Sequence, residues 1–451
     1  MPNKVIINKT ATAGRVPTPS EIQDGELVLN YEDQVMYYKT AEGLIDSFSS
    51  DSRLQPSIGS FTWNSATSSP AASDYYSGIK FVTKTHLGMR RCVVNDSGVV
   101  QYYLDPTNSA FKESGAASVL TGADGQVMVE IPKFYTKREV IGPYVTWSIS
   151  DLPVQGYAIH PAFVKDGVEV NYRYYGAYDA CYWDATDSTY KSGLNLDDLT
   201  ASLDLAADKL SSVSGVYPIC GVTRAECRTL AANRGTFWRQ LDFALFSAVQ
   251  LLYLIENQSF YSQNILGAGN TNGSYVASSS NQNDSPSTVA GSSNWLGNGT
   301  TNTVSGAGVS AKPGTSYMCY RGIENFYGNC WQWVDGININ VGTNGYVYVT
   351  NNRADFADNT STNMTLISTT APTTSGYQSA LASIGNYFVA SGVSGSSSTY
   401  MTDYWYGSTS SNRVVFVGGS ANVGANAGAF FVYAASGSGD SSRLIGARLA
   451  G

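Results

Sequence analysis

Histidine, charge and long apolar runs are scarce in this chain, and each scarcity removes a class of function. Only His86 and His160 offer an imidazole in 451 residues. Neither has a cysteine or carboxylate close by at a metal-ligand spacing, so zinc and His-based catalysis are not expected. Charged residues make up 14% of the chain and leave a net charge of −8 without any basic cluster. Nucleic acid and anionic membrane surfaces, which are gripped by clustered Lys and Arg, are therefore not expected as partners. Nowhere do about eighteen apolar residues follow one another, so no membrane insertion is expected. The opening Met1–Lys9 is too short in apolar residues for a signal peptide, which points to synthesis in a cytoplasm. Six scattered cysteines (Cys92, Cys181, Cys220, Cys227, Cys319 and Cys330) then read as buried free thiols rather than disulfides. One further absence is local: no lysine follows Lys312 and no glutamate follows Glu324.

What remains is a composition that folds, with 43% apolar residues and length enough for two or three domains. Residues 1–50 read as a small β module, with strand-like Gly25–Asn30 and Val35–Lys39 joined by a turn at Tyr31–Gln34. Residues 51–77, rich in Ser, Asp, Pro and Gly, read as a linker, and residues 78–451 as the main domain. Short strands are expected over Ile79–Thr83 and Val127–Ile131. Two helices stand out. Thr223 and Glu226 form a capping box for one that runs to about Asn233. The other, over Asp242–Glu256, is apolar on most sides and so belongs in a core. Gly267–Pro313 turns to Gly, Ser, Asn and Thr, and reads either as long surface loops pinned by Tyr275 and Trp295 or as plain disorder.

The densest motif is Tyr320–Gly336. Trp331 and Trp333, two apart, fall on one face of a strand and read as core, and Arg321 and Glu324 as a buried polar clamp. Together with Asp124–Tyr135, Gly156–Phe163, the two helices and Leu444–Leu449, this block resembles the sulfatase-modifying-factor branch of the C-type-lectin fold, which includes formylglycine-generating enzymes. Within it the chain is most similar to phage tail-fibre and retroelement-diversified variable proteins. The resemblance implies an α+β, C-type-lectin-like domain, a virion-attachment role for residues 1–50 toward other tail or baseplate proteins, and a homotrimer. It also implies a variable ligand-binding region at about residues 400–445. Formylglycine-generating enzymes use a cysteine pair near the C-terminus to bind copper, and here no cysteine follows Cys330. The motifs of calcium-dependent lectins are absent as well, so no cofactor is expected.

The C-terminal composition has the character of a paratope: Tyr and Trp supply rigid contact area, while Ser, Gly and Asn supply adaptable hydrogen bonds. In Tyr404–Asn412, alternation places Trp405 inward and Tyr404 and Tyr406 outward. The candidate receptor-binding residues are Tyr404, Tyr406, Ser408, Ser410, Asn412, Ser420, Asn422, Val423, Phe431, Tyr433, Ser436, Asp440, Ser442 and Leu444. The candidate scaffold residues are Arg321, Trp331, Trp333, Gly418, Gly419, Gly428, Gly446 and Arg448. Together with this composition, the resemblance implies a non-enzymatic phage receptor-binding protein, located in the virion, whose partner is a bacterial surface protein or glycan. A structural tail or baseplate component is the alternative, followed by a formylglycine-generating type of enzyme.

Overall fold

The computed structural model describes residues 7–49, 55–66, 81–192, 203–273, 287–305, 316–382, 385–399 and 401–451, apart from residues 11, 13, 14, 24, 25, 31, 33, 34, 42 and 342–344. Among the described residues the protein is mostly β, with 38% strand against 12% helix. This overturns the α+β, C-type-lectin-like expectation: the strands are dealt among many sheets, and no C-type-lectin arrangement is specifically seen. The physical reason is that helix caps and apolar helix runs are strong local signals that occupy few residues. Short strands rich in Ser, Asn, Gly and Tyr carry weak signals, and nothing local says which strand each will pair with.

The two expected helices are present. Helix α1 (Lys84–Leu87) is short, and its cap is unusual. The Thr83 amide donates to Nδ1 of His86, so the proton sits on Nε2, which donates to the Leu252 carbonyl at 2.9 Å. Helix α2 (Arg224–Ala232) starts at the Thr223–Glu226 capping box. Helix α3 (Phe243–Asn257) starts at Asp242, whose carboxylate accepts the Leu245 amide, and all its residues but the last are buried. Helix α4 (Ser262–Leu266) follows it. Helix α3 packs against strands Ile58–Asn64, Tyr144–Ser150 and Trp331–Val341.

Residues 7–49 form a four-stranded sheet around Ile22, Val28, Val35 and Tyr37, with Leu27–Asn30 paired antiparallel to Val35–Lys39. The stretch expected to be a linker is partly strand instead. Ile58–Asn64 pairs with Tyr144–Ser150, and its inward Phe61 and Trp63 join the main core. Strict alternation of buried and exposed residues there was masked by the Ser and Thr between them.

Two large sheets organise the rest. One carries Gln126–Pro132 at its centre, flanked by Arg90–Val94 and Tyr172–Gly176. The other runs Thr365–Ala371, Gly345–Val349, Trp331–Val341, Arg413–Val417, Val432–Ser436, Tyr404–Tyr406 and Gly376–Tyr377 in spatial order. The last residues join both: Ile445–Gly446 pairs with Trp331–Gln332, and Leu449–Ala450 lies between Arg239–Gln240 and Tyr172–Gly176 in the first sheet. Among the described residues, no helix is long and apolar enough to cross a membrane.

Candidate ligand-binding face

In the second sheet the aromatic residues of neighbouring strands fall into register. Tyr404 and Tyr406 share one face of their strand, while Trp405 between them is fully buried and donates its indole N–H to the Pro372 carbonyl at 2.9 Å. Tyr406 lies beside Tyr433, and Tyr433 beside Phe416, as cross-strand partners. Tyr377 is paired with Tyr404, and Phe416 with Trp333. The rings touch in sequence. Tyr377 meets Tyr404 edge-on at 5.0 Å between centroids, Tyr404 meets Tyr406 at 4.7 Å, Tyr406 stacks on Tyr433 at 4.8 Å, and Tyr433 stacks on Phe416 at 4.3 Å. Trp331 closes the row 5.0 Å from Phe416. Tyr377, Tyr404, Tyr406, Tyr433 and Trp331 are half-buried, so each keeps part of its ring at the surface. Burial raises the Tyr406 and Tyr433 hydroxyls above the ordinary phenol value, with Asp440 adding to the effect at Tyr433. Both therefore stay neutral near pH 7 and can donate and accept hydrogen bonds.

No protein-family model matches this sequence, and no curated protein does. The site has to be read from its own chemistry.

Of the residues singled out in the sequence, Ser410, Asn412, Asn422 and Asp440 are exposed, and Ser408, Val423 and Ser442 are half-exposed. Asn412 has a positive φ of 55°, a conformation that Asn tolerates better than most residues. Ser420, Phe431, Ser436 and Leu444 are corrections: all four are buried, at 0, 0, 3 and 4% exposure. Ser420 spends its hydroxyl on the Asn422 side chain at 2.9 Å, and Phe431 packs beneath Tyr406 at 5.7 Å. These positions support the face and do not present themselves to a ligand. Small and aromatic residues are read equally well as surface or as packing, which is why sequence alone misplaced them.

The scaffold set is largely interior. Trp333 and Arg448 are fully buried, and Trp333 meets Phe416 edge-on at 5.1 Å. Gly418, Gly419, Gly428 and Gly446 are buried as well. Gly419 has a φ of 85°, and a Cβ there would lie 2.5 Å from that of Ala427; a Cβ at Gly428 would strike the Asp403 carboxylate. The expected Arg321–Glu324 clamp does not form. Arg321 is forked onto Glu256 of α3 at 2.7 and 2.8 Å, whereas Glu324 accepts the backbone amides of Gly291 and Ser293. The thiol near Cys330 is that of Cys220, 3.4 Å away. Trp331, expected in the core, instead ends the aromatic row with its indole nitrogen buried and without a hydrogen-bond partner in the structure. Tyr377 was not singled out at all. Its sequence signal, one Tyr after Gly376 in a Ser-rich stretch, becomes legible only once Tyr404 lies opposite it.

Among the described residues, no group of three or more His, Cys, Asp or Glu side chains could hold a metal ion. Both histidines are buried, and burial lowers them to about 4 at His86 and about 3 at His160, so they are neutral structural groups at pH 7. The arrangement offers a broad aromatic surface with hydroxyl, amide and carboxylate groups at its edge. Such a surface suits contact and orientation rather than proton transfer.

Proposed function

We propose that this chain is the receptor-binding protein of a phage tail fibre or baseplate, and that it binds a bacterial surface protein or glycan through the aromatic face without chemistry of its own. One observation carries the reading. A row of aromatic rings, its Tyr and Trp members partly exposed, runs across five strands in a stretch that contains neither Lys nor Glu. Rigid rings gain contact area at low entropic cost, and the missing side chains are those that interface cores exclude. Residues 1–50 serve as the attachment module, and a homotrimer would let several modest contacts add through avidity. If the region is diversified, only its solvent-facing members, such as Tyr404, Tyr406, Asn412, Asn422, Tyr433 and Asp440, are profitable targets. A template repeat near the gene that differs from its coding DNA at adenines is then expected.

The test is the triple substitution of Tyr404, Tyr406 and Tyr433 by Ala. Loss of three rings at ~1 kcal/mol each lowers binding about 100-fold. Particle adsorption to the host is expected to fall by that order while assembly is preserved. Unchanged adsorption by intact particles would assign the chain a structural role in the tail instead.

A further inference from the structure

The described residues also form a cleft of about 670 Å³ away from the aromatic face, between the turn at Asn95 and Asp96, the loop Thr121–Gln126 and the small sheet that contains Trp183. Its size falls in the range of small-molecule sites, ~300–1,000 Å³. The floor is built by strand register. Trp183 is paired with Tyr190 on one side and with Lys209 on the other, so the three side chains form a row on one face. The two rings meet edge-on at 4.9 Å. The Tyr190 hydroxyl donates to the Gly122 carbonyl at 3.3 Å, and a Cβ at Gly122 would lie 2.2 Å from that hydroxyl, so the loop closes directly onto the ring.

The polar groups of the walls are held in place. Arg234, almost wholly buried, donates to the Leu210 carbonyl at 2.7 Å, the Ser211 hydroxyl at 2.6 Å and Asp96 at 2.5 Å, and Lys209 reaches the other Asp96 oxygen at 3.1 Å. Asp124 accepts the Tyr102 hydroxyl at 2.8 Å. Asp96 and Asp124 offset Lys209 and Arg234, so the lining side chains carry no net charge. A neutral cleft lined by an indole and a phenol ring, with fixed carboxylate, ammonium, amide and hydroxyl groups, fits an uncharged molecule with one apolar face and an edge of hydroxyls. A pyranose ring has that form: its axial C–H groups lie on an indole, and its equatorial hydroxyls reach both donors and acceptors.

We propose that this cleft is a second binding site, for a neutral saccharide, independent of how the aromatic face is used. The test uses the full chain and saturation-transfer NMR with the methyl glycosides of glucose, galactose, mannose, N-acetylglucosamine and N-acetylgalactosamine, together with lactose. At least one sugar is expected to bind. Trp183→Ala is expected to weaken it at least tenfold, and Trp183→Phe less. Ala123→Arg, which fills the mouth from an exposed rim position and spares the core, provides the same loss in a chain whose fold is undisturbed. Binding by none of the six sugars, or binding that survives both Trp183→Ala and Ala123→Arg, overturns the proposal. A signal that survives those two but disappears when Tyr404, Tyr406 and Tyr433 are replaced belongs to the aromatic face and overturns it as well.

Discussion

Asp403 shows how one residue under the aromatic face ties its shape to pH. Its carboxyl is buried beside Gly428, accepting the Phe430 amide at 2.7 Å and, at 3.4 Å, the hydroxyls of Thr402 and Ser262. With no cation beside it among the described residues, burial pushes its pKa up to about 8. The folded chain therefore holds this proton more tightly than the unfolded one. The stability it contributes is complete below about pH 4, the unfolded value, and is lost as pH rises toward 8. His86 and His160 act in the opposite sense: lowered by burial, they contribute stability that is present above pH ~6.5 and lost as pH falls toward their folded values. Urea denaturation is expected to show the wild type losing about 2 kcal/mol or more relative to Asp403→Asn between pH 5 and pH 8, because the two histidines act alike in both chains. Asp403→Asn keeps an acceptor for Phe430, and parallel pH curves for the two chains would contradict the assignment. Arg448 ties the end of the chain to several distant strands and turns. Its guanidinium donates to Asp179 at 2.6 Å, to Gln332, and to the carbonyls of Gly176, Glu324 and Asn325.

Both main helices begin at the residues whose chemistry announces a helix start, yet the two caps differ in what depends on them. Thr223 is half-exposed, and its hydroxyl bonds to Glu226, accepting from the amide at 3.3 Å and donating to the carboxylate at 2.9 Å. Asp242 is fully buried and, besides capping α3, accepts from Arg173 at 2.5 Å. Thr223→Ala is expected to cost about 1 kcal/mol. Asp242→Ala should cost ~3 kcal/mol or more, since it strands a buried guanidinium. Equal losses in denaturant titrations would show that Arg173 finds another partner. The helices were legible because caps and apolar faces are local; the Trp331–Trp333 face and the inward Trp405 were legible because strand periodicity is local too. The pairings Arg321–Glu256 and Cys220–Cys330 span 65 and 110 residues, and no short-range pattern encodes them.

At the scale of the molecule, residues 445–451 close the structure. They add a strand to each of the two largest sheets, and Arg448 between those strands bonds to both. Deleting them is expected to abolish the cooperative thermal transition and to expose the core to protease; a truncated chain that melts with the full-length midpoint would contradict this. By itself the sequence determined the helix starts, several strand phases, the absence of a membrane-crossing helix among the described residues, and the aromatic, lysine-free character of the C-terminal region. It did so because each of these depends on neighbours within a turn or two of chain. Only the tertiary structure decided that the chain is mostly β rather than α+β, that Ile58–Asn64 is a core strand, and that Ser420, Phe431, Ser436 and Leu444 lie beneath the face they were expected to form. Those outcomes depend on which distant strands meet and in what register, and the free energy that selects them is burial shared among residues far apart in sequence.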